Sequence, residues 1–334
     1  MSNFWGSLHN EELLKKQLKD RFSSRYENIL FDNLKKQSIF KSEYNYWKET
    51  SRNCRQISDN ISNLINDYVS GQQQDLNLIV NNIELIKKRY SKVKLYTKLV
   101  NKFYIKQGGI KPWNFSIFDI STLDKIPRNE EFWGMRGIRK ISESQGFIDS
   151  LVESFNESLI DLGKCNKKNL DSFSYYFSDR NLTYISVSAQ NDIHDNIYFY
   201  HEIGHAFFNY MNHIPNYQMT LRNLYESEKM AYKFEIKYTK LFLHKYYEYY
   251  QYNFYSLLCM FAVKSAFEIY CHLYANSNSS DKSKTYQILV RKFTPWIYST
   301  ESSANWCMQK EILETPFYDL AYFLSQGEAI QDLE

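Results

Sequence analysis

The sequence is poor in the residues that interrupt helices. Its 334 residues include only ten glycines and five prolines, and both types are unfavourable inside a helix. Five of the glycines lie between positions 108 and 146. The composition therefore predicts a mainly α-helical protein with a helical N-terminal lobe at 1–105 and a second region at 106–334, or one continuous domain with a central cleft.

Cysteines and long apolar runs are scarce too. The five cysteines are widely spaced and form no C-x-x-C pair, which favours reduced thiols and a cytoplasmic location. The sequence does not open with a basic segment followed by an apolar stretch, so we expect no secretory signal. The longest apolar run, Leu257–Val263, is too short to cross a bilayer, and no membrane span is expected.

Charge of one sign is also lacking. The formal net charge is only +3, which gives little attraction for polyanions. A basic helical stretch at 87–102 comes without a base-reading module, so we predict a solvent-exposed face and no nucleic-acid partner. Apolar residues recur at helical spacing in 13–30, 57–68 and 79–100, which indicates three or more antiparallel helices in the N-terminal lobe. The sequence carries no signal for an oligomeric state.

The segment at 196–208 carries an H-E-x-x-H motif in a run without a helix breaker other than Gly204. On a helix, positions i and i+4 share a face, so His201 and His205 can both offer an imidazole nitrogen to one zinc ion. Glu202 can reach the open side of that ion and take a proton from the attacking water. The alternative is a buried amphipathic helix whose histidines only form hydrogen bonds.

A catalytic zinc site needs a third protein ligand. The metzincin arrangement needs further donors along the same segment, but positions 208 and 211 are Phe and Met. His213 falls past the required spacing, close to Pro215, and is predicted to lie in a loop. The other arrangement takes a glutamate from a second helix. The helix predicted over 223–241 offers three candidates: Glu226, Glu228 and Glu235.

Two of these three glutamates share a helix face. Glu228 and Glu235 are seven residues apart, with the small residue Ala231 between them. A small side chain at that position would let the second helix approach the motif helix closely.

The two segments together resemble the thimet oligopeptidase and oligoendopeptidase F family of zinc metallopeptidases. The resemblance rests on H-E-I-G-H-A-F-F at 201–208 and E-K-M-A-Y-K-F-E at 228–235. It implies a zincin-type fold with a small β-sheet beside the motif helix. It also implies one zinc ion per chain, held by His201, His205 and Glu228, with Glu202 as the general base. Glu235 would then hydrogen-bond a ligand histidine, and Glu226 is the competing ligand.

Two further segments extend the resemblance. Residues 182–188 alternate like a half-buried strand and resemble the family's P-Y-I-L-x-N segment, an edge strand that binds extended peptides. The implied substrate-binding residues are Tyr184, Ile185, Ser186, Val187 and Ser188. Residues 314–326 resemble the family's C-terminal P-F-Y-x-x-x-Y segment. There a tyrosine hydroxyl donates to the oxyanion, which implies this role for Tyr322 first and Tyr318 second.

The resemblance covers about residues 106–334 and shows one clear departure. Family members usually carry a histidine shortly before the C-terminal tyrosines, but residues 309–314 contain none. Loss of one transition-state donor typically costs about a hundredfold in rate or more. The chain is also shorter than usual members.

The implied activity is that of a zinc-dependent endopeptidase that hydrolyses short or unfolded peptides bound in an extended conformation. Two alternatives are also compatible with the sequence. One is a protease dedicated to removing a leader or propeptide, and the other is a zinc-dependent peptide-binding protein with little turnover.

Overall fold

The computed structural model describes residues 43–70, 83–106, 135–162, 172–187, 193–214 and 221–333. These residues are mostly helical, with one small sheet. The helix predicted at 13–30 and the predicted strand residue Ser188 lie outside the described ranges. The α-helices are α1 Glu43–Ser70, α2 Ile83–Lys106, α3 Met135–Ile141, α4 Gln145–Asn156, α5 Ile193–Asn212, α6 Leu221–Phe242, α7 Tyr247–Leu273, α8 Ser279–Phe293, α9 Glu311–Glu314 and α10 Tyr318–Leu333.

The strands are β1 Ile160–Asp161, β2 Phe173–Phe177 and β3 Leu182–Ser186, and they form one sheet in the order β1-β3-β2. β1 pairs with β3 in parallel, with Ile160 opposite Ile185. β2 pairs with β3 antiparallel, with Tyr175 opposite Tyr184. The sheet packs against α5, so the prediction of a mainly helical fold with a small sheet beside the motif helix is confirmed.

The chain divides into two compact units. Among the described residues, the first comprises 135–253 and 325–333. It contains the sheet and both helices that carry the candidate site, α5 and α6. The second comprises 43–106 and 254–324. The boundary predicted at residue 105 stays a prediction.

The second unit has its own core. Apolar residues of α1 recur every three or four positions and face inward together with Phe267 of α7 and Trp306, which lies in a short 3-10 helix at Asn305–Met308. This is the helical face predicted for 57–68: Ile57, Ile61, Leu64, Ile65 and Tyr68 are each at most 6% exposed. Burial of such a face is what stabilises a long amphipathic helix.

One apolar helical stretch among the described residues, His244–Leu273, has the length and composition of a membrane span. Of its most apolar part, 67% is buried inside the protein. A buried core helix meets the same criteria of length and composition.

Candidate metal centre

The H-E-x-x-H motif lies in the middle of α5, and α6 faces it. Because Ile197, Phe199, Tyr200 and Ile203 are all at most 4% exposed, α5 is held in the interior on several sides. The two helices run antiparallel, since His201 contacts Glu235 while His205, one turn later, contacts Ser227.

Gly204 and Ala231 allow this close approach. A Cβ atom at position 204 would lie 2.4 Å from Ala231 Cα and 2.8 Å from the Met230 carbonyl oxygen. Carbon atoms in ordinary contact are about 3.5–4.0 Å apart, so the helices could not pack at this distance with a larger residue at 204. As predicted, the small residue Ala231 lies where the two helices approach each other closely.

Three potential metal-ligand atoms converge from the two helices. The His201 and His205 Nε2 atoms are 3.2 Å apart. Each lies 3.4 Å from an oxygen of Glu228. Two ligands of a tetrahedral zinc ion are about 3.3 Å apart when each bond is about 2.0–2.1 Å long. The oxygen nearest His201 is Oε2 and the oxygen nearest His205 is Oε1. Both imidazoles and the carboxylate thus converge at about the spacing of zinc ligands, and His201, His205 and Glu228 could hold a metal ion.

Hydrogen bonds on the far side of each ring orient the two imidazoles. His201 Nδ1 lies 2.8 Å from Glu235 Oε2, and a carboxylate can only accept, so Nδ1–H donates. The other Glu235 oxygen accepts from the Tyr250 hydroxyl at 2.8 Å. His205 Nδ1 lies 2.8 Å from Ser227 Oγ. Both Nε2 atoms are therefore turned toward Glu228.

The two imidazoles differ in their electrostatics. Burial lowers the pKa of His201, but hydrogen bonds and charges from Glu228 and Glu235 outweigh it and leave the pKa well above 6.5. Burial lowers the pKa of His205 to about 4, against the opposing charge of Glu228. A cation bound at the three donor atoms would compete with the proton on His201.

Glu202 is 6% exposed and lies beside the cluster. Burial raises the pKa of its carboxyl to about 7, while the charge on His201 and a hydrogen bond from Ser174 lower it. A carboxyl with a pKa near 7 suits proton transfer at neutral pH. A bound cation would lower this pKa further.

Two other predicted positions lie away from the cluster. Glu226, the competing ligand, has a side chain 41% exposed and pairs with Lys229 at 3.1 Å. His213 follows α5 with a backbone φ of 51°, and its Nδ1 lies 3.3 Å from the Tyr176 hydroxyl. It therefore lies in the loop, as predicted.

The edge-strand prediction for 182–188 is wrong for the described part of that segment. β3 is the central strand, with β1 on one side and β2 on the other. Ile185 and Val187 donate their N–H groups to the β1 segment, and Thr183 donates to Ser154 Oγ at 3.0 Å. Because these groups are already paired, Tyr184, Ile185, Ser186 and Val187 are not free to bind a peptide backbone.

Three residues of the site were not predicted from the sequence. Ser174 of β2 hydrogen-bonds Glu202, Ser227 contacts His205, and Tyr250 contacts Glu235. A signal existed for Ser227, because it lies four residues before Ala231 on the same helix face.

The two C-terminal tyrosines form a pair in the second unit. The Tyr318 and Tyr322 hydroxyls are 2.6 Å apart, and the Tyr322 ring packs on Phe261 at 5.1 Å. The preceding residue, Phe317, has a φ of 60°, and its N–H donates to the buried carboxylate of Glu268 at 2.6 Å. The catalytic role of Tyr318 and Tyr322 stays a prediction.

Three solved structures share this fold. PZ peptidase A with inhibitor 2 has a TM-score of 0.67 at 17% identity, covering 96% of this chain and 66% of that one. A structure assigned as oligoendopeptidase F has a TM-score of 0.67 at 15% identity, covering 95% and 66%. A third, assigned as oligoendopeptidase F from Bacillus anthracis strain Ames, has a TM-score of 0.62 at 17% identity, covering 96% and 64%.

The chain therefore has an oligoendopeptidase F-like fold, as the sequence motifs predicted. It spans slightly less than two thirds of the length of these structures. No family model and no curated protein matches the sequence.

Proposed function

We propose that the protein is a zinc-dependent peptidase that hydrolyses short or unfolded peptides. The observation that carries the proposal is the convergence of His201 Nε2, His205 Nε2 and the Glu228 carboxylate: the two nitrogens are 3.2 Å apart, and each lies 3.4 Å from one of the two carboxylate oxygens. Two imidazoles and one carboxylate are the donor set of catalytic zinc sites, which keep a fourth position open. The described residues contain one such cluster, which supports one zinc ion per chain.

Zinc in such a site supplies an activated water and polarises the scissile carbonyl. Glu202 is the proposed general base: it takes a proton from the attacking water and passes it to the leaving amine. The Ser174 hydroxyl and the buried surroundings of Glu202 keep this carboxylate in place. Glu235 and Tyr250 orient His201 through its Nδ1–H.

The position of β2 at one side of the described sheet supports binding of an extended substrate. Phe173–Phe177 pairs with β3 along one edge, and within the described ranges no strand pairs with its other edge. An extended peptide can add to a sheet as a further strand. Because Ser174 contacts Glu202, this edge lies beside the proposed base. We therefore propose β2, in place of the described residues 184–187, as the strand that binds substrate; the role predicted for Ser188 stays a prediction.

The role of Tyr322 in oxyanion stabilisation, with Tyr318 as its hydrogen-bonded neighbour, remains part of the proposal and rests on the sequence resemblance. So does the cytoplasmic location. The described cysteines, Cys54, Cys259, Cys271 and Cys307, are buried and form no disulfide with one another, which is compatible with a reducing compartment.

A library of quenched fluorescent peptides tests the proposal. Turnover should require zinc and stop with a chelator. Glu202→Gln should keep the zinc and lose about 10²–10⁴-fold in rate, because the near-isosteric amide cannot accept the proton. Glu226→Gln, a matched change at a glutamate outside the cluster, should turn over peptides at the parental rate.

The other outcomes separate the alternatives. Parental turnover by Glu202→Gln would remove this residue as the base. If no library peptide is cleaved but peptides bind only in the presence of zinc, the protein is a peptide-binding protein with little turnover. The lack of a histidine at 309–314 is the observation that favours this second candidate.

A further inference from the structure

The two histidines of the cluster are supported by groups of different chemistry. His201 donates to a carboxylate, Glu235, which is itself held by the Tyr250 hydroxyl. His205 contacts a neutral hydroxyl, Ser227 Oγ, at 2.8 Å. Neither the H-E-x-x-H motif nor the glutamates at 228 and 235 account for this second support.

Ser227 is a fully buried residue in the interior of α6, with 0% exposure. A hydroxyl in that position is costly unless it is hydrogen-bonded. Serine inside a helix can donate its hydroxyl proton to the carbonyl four residues earlier. Its oxygen then remains free to accept an N–H from His205.

The tautomer of His205 determines whether its Nε2 atom can bind a metal ion. When Nδ1 carries the proton and donates it to Ser227, Nε2 presents a lone pair toward His201 and Glu228. In the opposite tautomer, Nε2 carries the proton and cannot bind a metal. Only the first arrangement gives three lone-pair donors at one point.

We propose that Ser227 is the positioning residue of His205: its hydroxyl oxygen accepts the Nδ1–H, fixes the tautomer and holds the ring so that Nε2 joins the metal-ligand set. Ser227 precedes Glu228 in α6. A single turn of this helix therefore supplies one ligand and orients another. The inference rests on the proposed function only in that the cluster binds zinc.

Zinc affinity, measured by competition with a chromophoric chelator, tests this role without reference to turnover. Ser227→Ala should weaken zinc binding about 10–100-fold, the effect typical of losing a group that orients a ligand. Ser227→Thr keeps a hydroxyl and should restore most of the affinity. Thr239→Ala is the control: Thr239 is equally buried in α6, and its hydroxyl donates to the Ile236 carbonyl, away from the cluster.

A second readout reports on the metal-free protein. Nitrogen-15 NMR of the imidazoles should find His205 protonated at Nδ1 in the parent and redistributed between tautomers in Ser227→Ala. If that variant does not fold, Ser227→Cys takes its place, since a thiol is a weaker partner in a similar volume.

Parental zinc affinity together with an unchanged His205 tautomer in Ser227→Ala would overturn the inference. If the parent itself binds no zinc, the proposed function fails, and the tautomer measurement still decides the role of Ser227.

Discussion

From the close contact between α5 and α6 at Gly204, we predict that Gly204→Ala weakens metal binding. In Gly204→Ala, the added Cβ would meet Ala231 Cα at 2.4 Å, the Met230 carbonyl oxygen at 2.8 Å and the Ala231 nitrogen at 2.9 Å. All three are main-chain atoms, so no side chain can rotate away. Relief to an ordinary contact requires the helices to part by about 1 Å.

The cost to folding should be moderate. Overpacking of this kind typically lowers the free energy of unfolding by about 1–3 kcal/mol. Replacing glycine by alanine inside a helix raises the free energy of unfolding by about 1 kcal/mol, because alanine has the higher helix propensity. We therefore expect Gly204→Ala to fold, with a net loss of up to about 2 kcal/mol.

Metal binding should suffer more than folding. Metal–ligand distances are set to within about 0.2 Å, so a separation of the helices by about 1 Å moves Glu228 out of reach of a metal that His201 and His205 still hold. The loss of a group that only orients a ligand typically weakens metal binding about tenfold or more. The displacement of the ligand itself should weaken zinc binding at least as much. The affinity is measured by chelator competition and the stability by thermal unfolding of the metal-free protein.

Gly146→Ala in α4 provides the matched control. Its Cβ would meet the Tyr210 hydroxyl at 2.7 Å, which is the far end of a side chain that can shift. The same gain in helix propensity applies, and the metal ligands lie elsewhere, so zinc affinity should equal that of the parent. A Gly204→Ala protein with parental zinc affinity and parental stability would refute the argument that this contact sets the ligand geometry.

Two further predictions concern the second unit. Tyr322→Phe should lower kcat about a hundredfold or more with little change in KM, and Tyr318→Phe should lower it less; steady-state kinetics on one cleaved peptide measures both, and parental kcat in Tyr322→Phe would remove it from the mechanism. His272 is 4% exposed, neither of its ring nitrogens has a hydrogen-bond partner among the described residues, and burial lowers its pKa to about 4. Folding therefore favours the neutral ring of His272, and protonation of the ring destabilises the folded state. This contribution to the free energy of unfolding is fully present above pH 6.5, and about 3 kcal/mol of it is lost as the pH falls toward 4. Urea unfolding should show that His272→Leu removes this part of the pH dependence, and identical dependence in parent and variant would contradict it.

Local periodicity accounts for what the sequence could predict at the candidate site. His201 and His205 are one helical turn apart, and Glu228 and Glu235 are two turns apart, so each pair shares a face wherever the helix lies. That these two faces meet follows from the small residues Gly204 and Ala231, which were visible in the sequence. The helical face of α1 is a local pattern of the same kind.

Strand pairing was not predictable in the same way. Whether β3 is central or at an edge depends on β1, which contributes only Ile160 and Asp161. Two residues carry no strand signal of their own. The alternation in 182–187 correctly indicated a strand. Which strands pair with it, however, is determined by contacts between distant parts of the chain. Tyr250 was missed for a similar reason, because it enters the site from α7 after the chain has turned.

The H-E-x-x-H motif by itself supplies only part of a metal centre. α5 contributes two donor atoms, whereas α6 contributes the third donor, Glu228, and the direct hydrogen-bond partners of both histidines, Ser227 and Glu235. Both distances between Glu228 and the histidines are therefore also distances between helices. For this reason substitutions that alter the α5–α6 packing, even without touching a ligand, should act first on zinc affinity and only then on stability.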